Sequence, residues 1–132
     1  QSPAADAARQ LIVVQVPLLD MKRYSHLLAG ASWMAEYGDP DTADWAFIQG
    51  FSPYHLFDAK KDYPATLFTT STKDDRVHPA HARKMMALME AAGKDVRYYE
   101  NIEGGHGGAA NNAQSAHMTA LAYTFLWQQL TK

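Results

Sequence analysis

Two polar loops of the sequence each carry a side chain suited to proton transfer. Residues 71–79 (STKDDRVHP) contain Asp74, and residues 103–108 (EGGHGG) contain His106. A carboxylate that accepts a hydrogen bond from one ring nitrogen of a histidine leaves the other nitrogen free to take a proton from a nucleophile. Glycines on both sides of His106 predict a tight, uncrowded turn. The two loops therefore indicate acyl-transfer chemistry, provided that the fold brings them together.

Each loop follows a segment with the composition of a β-strand. Residues 65–71 (ATLFTTS) and 96–101 (VRYYEN) are short and rich in β-branched or aromatic side chains. An earlier segment, residues 11–16 (LIVVQV), is apolar at nearly every position, which predicts a strand buried on both faces. Ligands of parallel sheets bind beyond the carboxyl ends of the strands. We therefore expect Asp74 and His106 at the same edge of one sheet.

Helical patterns fill the intervals between these strands. Residues 41–49 can form a short helix, and Pro79 suits the first turn of a longer one that ends before Gly93. That helix carries apolar residues at helical spacing: Ala82, Met85, Met86, Met89 and Ala92. A last helix over residues 113–130 carries one stripe: Ala116, Ala120, Tyr123, Trp127 and Leu130. The alternation of strands and helices predicts an α/β fold with parallel strands and right-handed crossovers.

Composition argues against several classes of partner. The chain has 132 residues and a formal net charge of −2, so no basic face for nucleic acid is expected. Its apolar runs are too short to cross a membrane. The absence of cysteine excludes disulfides and thiolate metal sites and leaves the compartment open, cytoplasmic or periplasmic. Residues 1–10 read as a tail, which could follow a cleaved export signal or be a proteolytic end, and residues 11–132 as one domain.

Six stretches of the sequence, in order and spacing, resemble the C-terminal segment of the prolyl oligopeptidase family of serine peptidases. They are PLLDMKRY (17–24), EYGDP (36–40), FSPYH (51–55), YPATL (63–67), DDRVHP (74–79) and GGHGG (104–108). The resemblance covers nearly all of residues 11–132. It implies the C-terminal part of an α/β-hydrolase, with about three parallel strands and flanking helices.

The resemblance also implies roles for three residues. Asp74 resembles the catalytic Asp of the family, His106 the catalytic His, and Arg76 the residue that binds the substrate main chain. The order agrees with the α/β-hydrolases, in which the nucleophilic Ser is followed by the acid and then by the His. His78 stands where these peptidases usually have an apolar residue, so local loop geometry is expected to differ.

The nucleophile of the family has no counterpart in this sequence. A Gly-x-Ser-x-Gly-Gly motif is expected upstream of Leu11 and is absent; Ser32, in GASWM, lacks the closing glycine. In an intact parent enzyme, the resemblance implies cleavage of short peptides after proline, with no cofactor. The chain alone is expected to be inactive, and to pair with the remainder of the enzyme or to self-associate. The alternative is a non-catalytic remnant or an assembly partner.

Simpler interpretations remain open for the same residues. Asp74 and Asp75 could form a polar loop that caps the following helix, and Arg76 could be part of a surface ion pair. His78 and His81 lie three apart, but the sequence lacks an HExxH pattern, so no metal site is expected. The methionine stripe is best explained by core packing, and Trp33, Trp45 and Trp127 as anchors in the core or at its edge.

Overall fold

The computed structural model describes residues 11–107 and 111–131, which contain a three-stranded parallel sheet. The strands are β1 (Leu11–Gln15), β2 (Ala65–Ser71) and β3 (Val96–Asn101), in the order β1-β2-β3. Their register pairs Gln15 with Thr69 and Ser71 with Asn101, so the carboxyl ends of all three strands lie at one edge. The predicted α/β architecture is confirmed, whereas the predicted tail, residues 1–10, lies outside the described residues.

The segment between β1 and β2 is a series of short helical turns. It contains α1 (Met34–Tyr37), α2 (Trp45–Ile48) and α3 (Pro53–Leu56), together with three 3-10 helices, Tyr24–His26, Leu28–Trp33 and Gln49–Phe51. The single helix predicted over residues 41–49 is therefore reduced to α2. Side chains explain the shortening, because the hydroxyl of Thr42 accepts from the Asp44 N–H and the Asp44 carboxylate accepts from the Asp39 N–H.

Two longer helices complete the described fold. The helix α4 (Ala80–Ala91) follows the Asp74 loop and ends near Gly93, whose φ of 75° favours glycine. The helix α5 (Asn112–Leu130) begins where the side chain of Asn111 accepts from the Gln114 N–H. No helix within the described residues is long and apolar enough to span a lipid bilayer.

Two apolar clusters pack this structure. Met21, Tyr24 and Ile48 form one, with Trp33 and Trp45 packed against it, as expected of anchoring tryptophans. The second lies between the sheet and α4, where Phe68, Met85 and Met89 are buried and Met86 packs against them. The prediction that the methionine stripe belongs to the core is confirmed.

Both β1 and α5 are more exposed to solvent than the sequence predicts. Ile12 is 42% exposed and β1 is only half-buried, although its composition predicts burial on both faces. Trp127 was predicted as a core or core-edge anchor and is 71% exposed. Along α5, Phe125 is the buried residue that the described structure records, whereas Tyr123 and Leu130 are exposed. An amphipathic stripe thus identifies an apolar face without identifying what covers it.

Candidate active site

The loop after β2 is organised by the carboxylate of Asp74. The side chain is fully buried, and its Oδ1 accepts hydrogen bonds from the backbone N–H groups of Arg76 (2.9 Å) and Val77 (3.0 Å). This is the local turn that aspartate favours, because its short side chain reaches the backbone two residues ahead. The carboxylate is thereby held in one orientation by its own loop before any other group contacts it.

His106 lies beside this carboxylate, on the loop after β3. Its Nδ1 is 3.0 Å from Asp74 Oδ2 and 3.1 Å from Asp74 Oδ1, and its side chain is 37% exposed. A carboxylate accepts only, so Nδ1 carries the hydrogen, and the neutral ring then has an unprotonated Nε2. The arrangement thus combines a buried, fixed acid with a partly exposed base, as proton transfer to and from a reacting group requires.

Gly105 and Gly107, on either side of His106, lie in uncrowded surroundings. Neither Gly105 nor Gly107 has a φ in the left-handed region. A Cβ added at Gly105 would lie 3.8 Å from the Lys73 carbonyl oxygen, and one added at Gly107 would meet nothing within 4 Å. His106 and Gly107 do lie in a turn with open surroundings, and the described backbone has room for a side chain at both glycine positions.

The other charged residues of the first loop face solvent. Arg76 is exposed and is linked to the site by its backbone N–H, which donates to Asp74. Asp75 is also exposed, as expected of a solvated carboxylate. A cavity of about 200 Å³ lies beside the His106 loop, between the end of β1 and α5, and includes Gln15, Gly107 and Ser115 in its lining.

A serine–histidine pair that the sequence analysis missed lies elsewhere in the fold. Ser52 Oγ is 2.8 Å from His55 Nδ1, but Ser52 is completely buried and its Oγ accepts from the Met21 N–H (3.0 Å). Burial also lowers the pKa of His55. Ser52 thus fastens the Leu19–Met21 turn to α3, and a substrate has no access to it. Ser32 is exposed and donates to the Ala29 carbonyl (2.6 Å).

The two histidines near the start of α4 have structural contacts. His78 Nδ1 accepts from the Ala80 N–H (2.9 Å), and His81 Nδ1 accepts from the N–H groups of Leu19 (3.3 Å) and Asp20 (3.0 Å). Burial lowers the pKa of His81 to about 4, which keeps the ring neutral. Within residues 11–107 and 111–131, no cluster of three or more His, Asp or Glu could hold a metal ion.

A charged cluster, formed by Arg83 of α4 and Glu100 of β3, contacts the loop that carries Asp74. Arg83 donates to both oxygens of Glu100, at 2.8 and 2.5 Å, and the hydroxyls of Tyr98 and Thr72 also donate to this carboxylate. The hydrogen bonds from Arg83 are the main reason that the pKa of Glu100 falls to about 2. Glu100 therefore connects the end of β3 to Thr72, which precedes Asp74 by two residues.

Comparisons with known proteins match nearly the whole chain. A sequence model described as the prolyl oligopeptidase family matches residues 8–132. An uncharacterised peptidase of Sinorhizobium fredii is 54% identical over 120 residues, which is 90% of this chain and 16% of that protein. A prolyl endopeptidase structure superimposes with a TM-score of 0.83 at 37% identity, over 92% of this chain and 18% of the other.

A third comparison adds a named activity and an organism. The structure of a post-proline cleaving enzyme from Rickettsia typhi has a TM-score of 0.82 and 34% identity, and it covers 92% of this chain and 18% of that enzyme. The chain thus spans less than a fifth of the length of these proteins. With a family match over residues 8–132 and these similarities, the chain belongs to the prolyl oligopeptidase family.

Proposed function

We propose that this chain supplies the acid and the base of a serine peptidase that cleaves short peptides after proline. The observation that carries the proposal is the 3.0 Å contact between His106 Nδ1 and the buried Asp74 carboxylate. The mechanism needs a serine from the upstream part of the hydrolase domain. His106 Nε2 takes the serine proton as the hydroxyl attacks the peptide carbonyl and returns it to the leaving amine, while Asp74 stabilises the imidazolium. Arg76 binds the substrate main chain.

A hybrid enzyme tests the proposal. Residues 11–132 replace the corresponding C-terminal segment of the Rickettsia typhi enzyme, with the junction placed by superposition. We expect the hybrid to cleave a Gly-Pro reporter peptide and to react with a fluorophosphonate probe, whereas this chain alone does neither, since it has no activated serine. Labelling of any serine in the chain alone would contradict the proposal. So would a folded, inactive hybrid next to an active parent enzyme.

A second role, in assembly, is favoured by one surface, which we call the apolar side: Tyr123, Trp127 and Leu130 of α5. All three are between 63% and 71% exposed, and β1 lies at an edge of the described sheet. An edge strand offers unpaired backbone groups, and an exposed apolar helix face is typical of an interaction site. We propose that this side packs against the upstream part of the hydrolase domain, or against a second copy when the chain is alone.

Sedimentation velocity at micromolar concentration tests the assembly role. The chain alone should form dimers or larger species, and the hybrid enzyme, in which the apolar side is covered, should not associate through it. A single monomeric species of the chain with a cooperative thermal transition would contradict this proposal without affecting the catalytic one.

A further inference from the structure

Asn101, the last residue of β3, contacts the loop that carries the acid. It is 4% exposed, and its backbone carbonyl accepts from the Thr72 N–H (2.9 Å), two residues before Asp74. The link extends the ladder between β2 and β3 by one hydrogen bond beyond Ser71. The position of the Asp74 loop is therefore set partly from Asn101.

The side chain of the same residue organises the loop that carries the base. Asn101 Oδ1 accepts from the N–H groups of Glu103 (2.9 Å) and Gly104 (3.0 Å), so it closes the turn that ends two residues before His106. These are buried or partly buried hydrogen bonds, and a buried backbone donor that loses its acceptor destabilises the turn because nothing replaces the lost bond. The turn is thus specified by one side-chain oxygen.

The remaining part of the Asn101 amide ties this turn to α5. Its Nδ2 donates to Gln114 Oε1 (2.9 Å), and Gln114 Nε2 donates to Glu103 Oε2 (2.6 Å). The backbone N–H of Gln114 donates to Asn111 Oδ1 (2.9 Å), the contact that begins α5. The end of β3 and the first turn of α5 are therefore linked directly by one pair of side-chain amides.

We propose that Asn101, supported by Gln114, is a positioning residue that sets His106 against Asp74. It contacts both loops and does not touch the reacting atoms. Productive geometry has to be held within about 0.5 Å, and a misplacement of about 1 Å can reduce the rate by about 10²-fold. Asn101 thus bonds to the backbone of the His106 loop through its side chain and to the Asp74 loop through its own backbone. The catalytic consequence rests on the proposed function, whereas the geometric one does not.

The first experiment uses the 132-residue chain itself and needs no activity. Ring ¹⁵N spectra report which nitrogen of His106 carries the hydrogen, and a His106→Gln spectrum assigns its signals. The native chain should show the Nδ1–H form. Asn101→Ala should give a mixture of the two neutral forms, because the ring loses its fixed position against Asp74. Gln114→Ala, which keeps the hydrogen bonds from Asn101 to the turn and removes the side-chain link to α5, should give a smaller change.

A matched control separates positioning from general loss of stability. Thr66 is 3% exposed and its hydroxyl donates to the Pro64 carbonyl (2.9 Å), at the opposite end of β2 from the site. Thr66→Ala removes a buried hydrogen bond but should leave the His106 spectrum unchanged. The proposal fails if Asn101→Ala and Gln114→Ala, at temperatures where each remains folded, give the same His106 spectrum as Thr66→Ala.

The second experiment measures catalysis in the hybrid enzyme. Asn101→Ala should lower kcat by about 10- to 100-fold and change KM by less than about threefold, as expected when transition-state geometry is lost and substrate binding is kept. Thr66→Ala should change neither constant. An Asn101→Ala hybrid with native kcat overturns the inference, whereas an inactive native hybrid overturns the proposed function and leaves the spectra of the chain to decide on Asn101.

Discussion

Two regions of the molecule differ in how far their side chains are buried and bonded. One is the end of the sheet that carries the two loops, and the other is the exposed face of α5. At the acid–base edge, which we define as residues 72–77 and 101–107, Asp74 and Asn101 are buried and bonded within the described residues. On the apolar side, Tyr123 and Trp127 are about two-thirds exposed. The Asp74–His106 pair thus has its contacts within the described residues, whereas the apolar side chains of α5 are not covered by them.

The largest effect is expected from removing the base. In the hybrid enzyme, His106→Ala or Asp74→Asn should lower kcat by about 10³-fold or more, because the members of a triad act as a unit. Asp75→Asn is the matched control, since Asp75 is exposed beside the buried Asp74, and it should change kcat by less than about tenfold. Steady-state kinetics on a Gly-Pro reporter measures both. If Asp75→Asn is the more damaging change, the acid of the site has been assigned one residue too early.

The position of this site could be predicted from sequence because its determinants are local. The bounds of β2 and β3 are confirmed as predicted, since β-branched and aromatic runs interrupted by polar loops are readable in a single segment. Parallel strands then place both loops at one edge, and Asp74 and His106 do meet there. The family resemblance, which is confirmed, selected Asp74 over Asp75.

Contacts made across the sequence could not be predicted in this way. Ser52 contacts Met21 from 31 residues away, and Asn101 contacts Gln114 from 13 residues away, and neither pair has a periodic signal. The exposure of Trp127 was not predicted although its helix does have a periodic signal. Its stripe is correctly amphipathic, but periodicity does not say which partner buries the apolar face. Only the short Ser-x-x-His spacing of Ser52 and His55 gave a local hint of a side-chain pair.

The second effect is a pH dependence of stability caused by His81, a buried histidine of α4. Burial lowers the pKa of His81 to about 4, from a usual value of 6.5. The unfolded chain therefore binds a proton at higher pH than the folded chain, so stability is present above pH 6.5 and is lost as the pH falls toward 4. The loss should reach roughly 3 kcal/mol, since one pKa unit corresponds to about 1.4 kcal/mol.

Urea unfolding of the native chain and of His81→Gln measures this effect. Glutamine keeps an acceptor for the Leu19 and Asp20 N–H groups but does not titrate, so the variant should lose much less stability between pH 7 and pH 4. Carboxylates affect both proteins alike. Parallel stability curves would show that His81 is not the residue that titrates in this range.

The third effect tests the apolar side directly. Trp127→Ser should leave the free energy of unfolding of the monomer within about 0.5 kcal/mol, as expected for an exposed residue, and weaken self-association about tenfold. Sedimentation velocity over a concentration series gives the association constant. Phe47→Ser is the matched control, because Phe47 is 75% exposed but lies on α2. Equal weakening by both substitutions would mean that association is unspecific and that the apolar side has no special role.

The smallest effect is expected from substituting Glu100, which tests whether the Asp74 carboxylate is held by its own loop or by the charged cluster. The hydrogen bonds from Arg83 lower the pKa of Glu100 to about 2, so its contribution is present above about pH 4.5 and is lost as the pH falls toward 2. Arg83 is 47% exposed, and solvent screening limits the loss of stability in Glu100→Gln to about 1 kcal/mol at pH 7.

In the hybrid enzyme, kcat of Glu100→Gln should change by less than about threefold, because Asp74 is held by the N–H groups of its own loop rather than by Glu100. Urea unfolding and steady-state kinetics measure the two quantities, with Glu90→Gln, an exposed glutamate of α4, as the control. A large loss of kcat in Glu100→Gln alone would mean that the charged cluster, and not the Asp74 loop, fixes the acid.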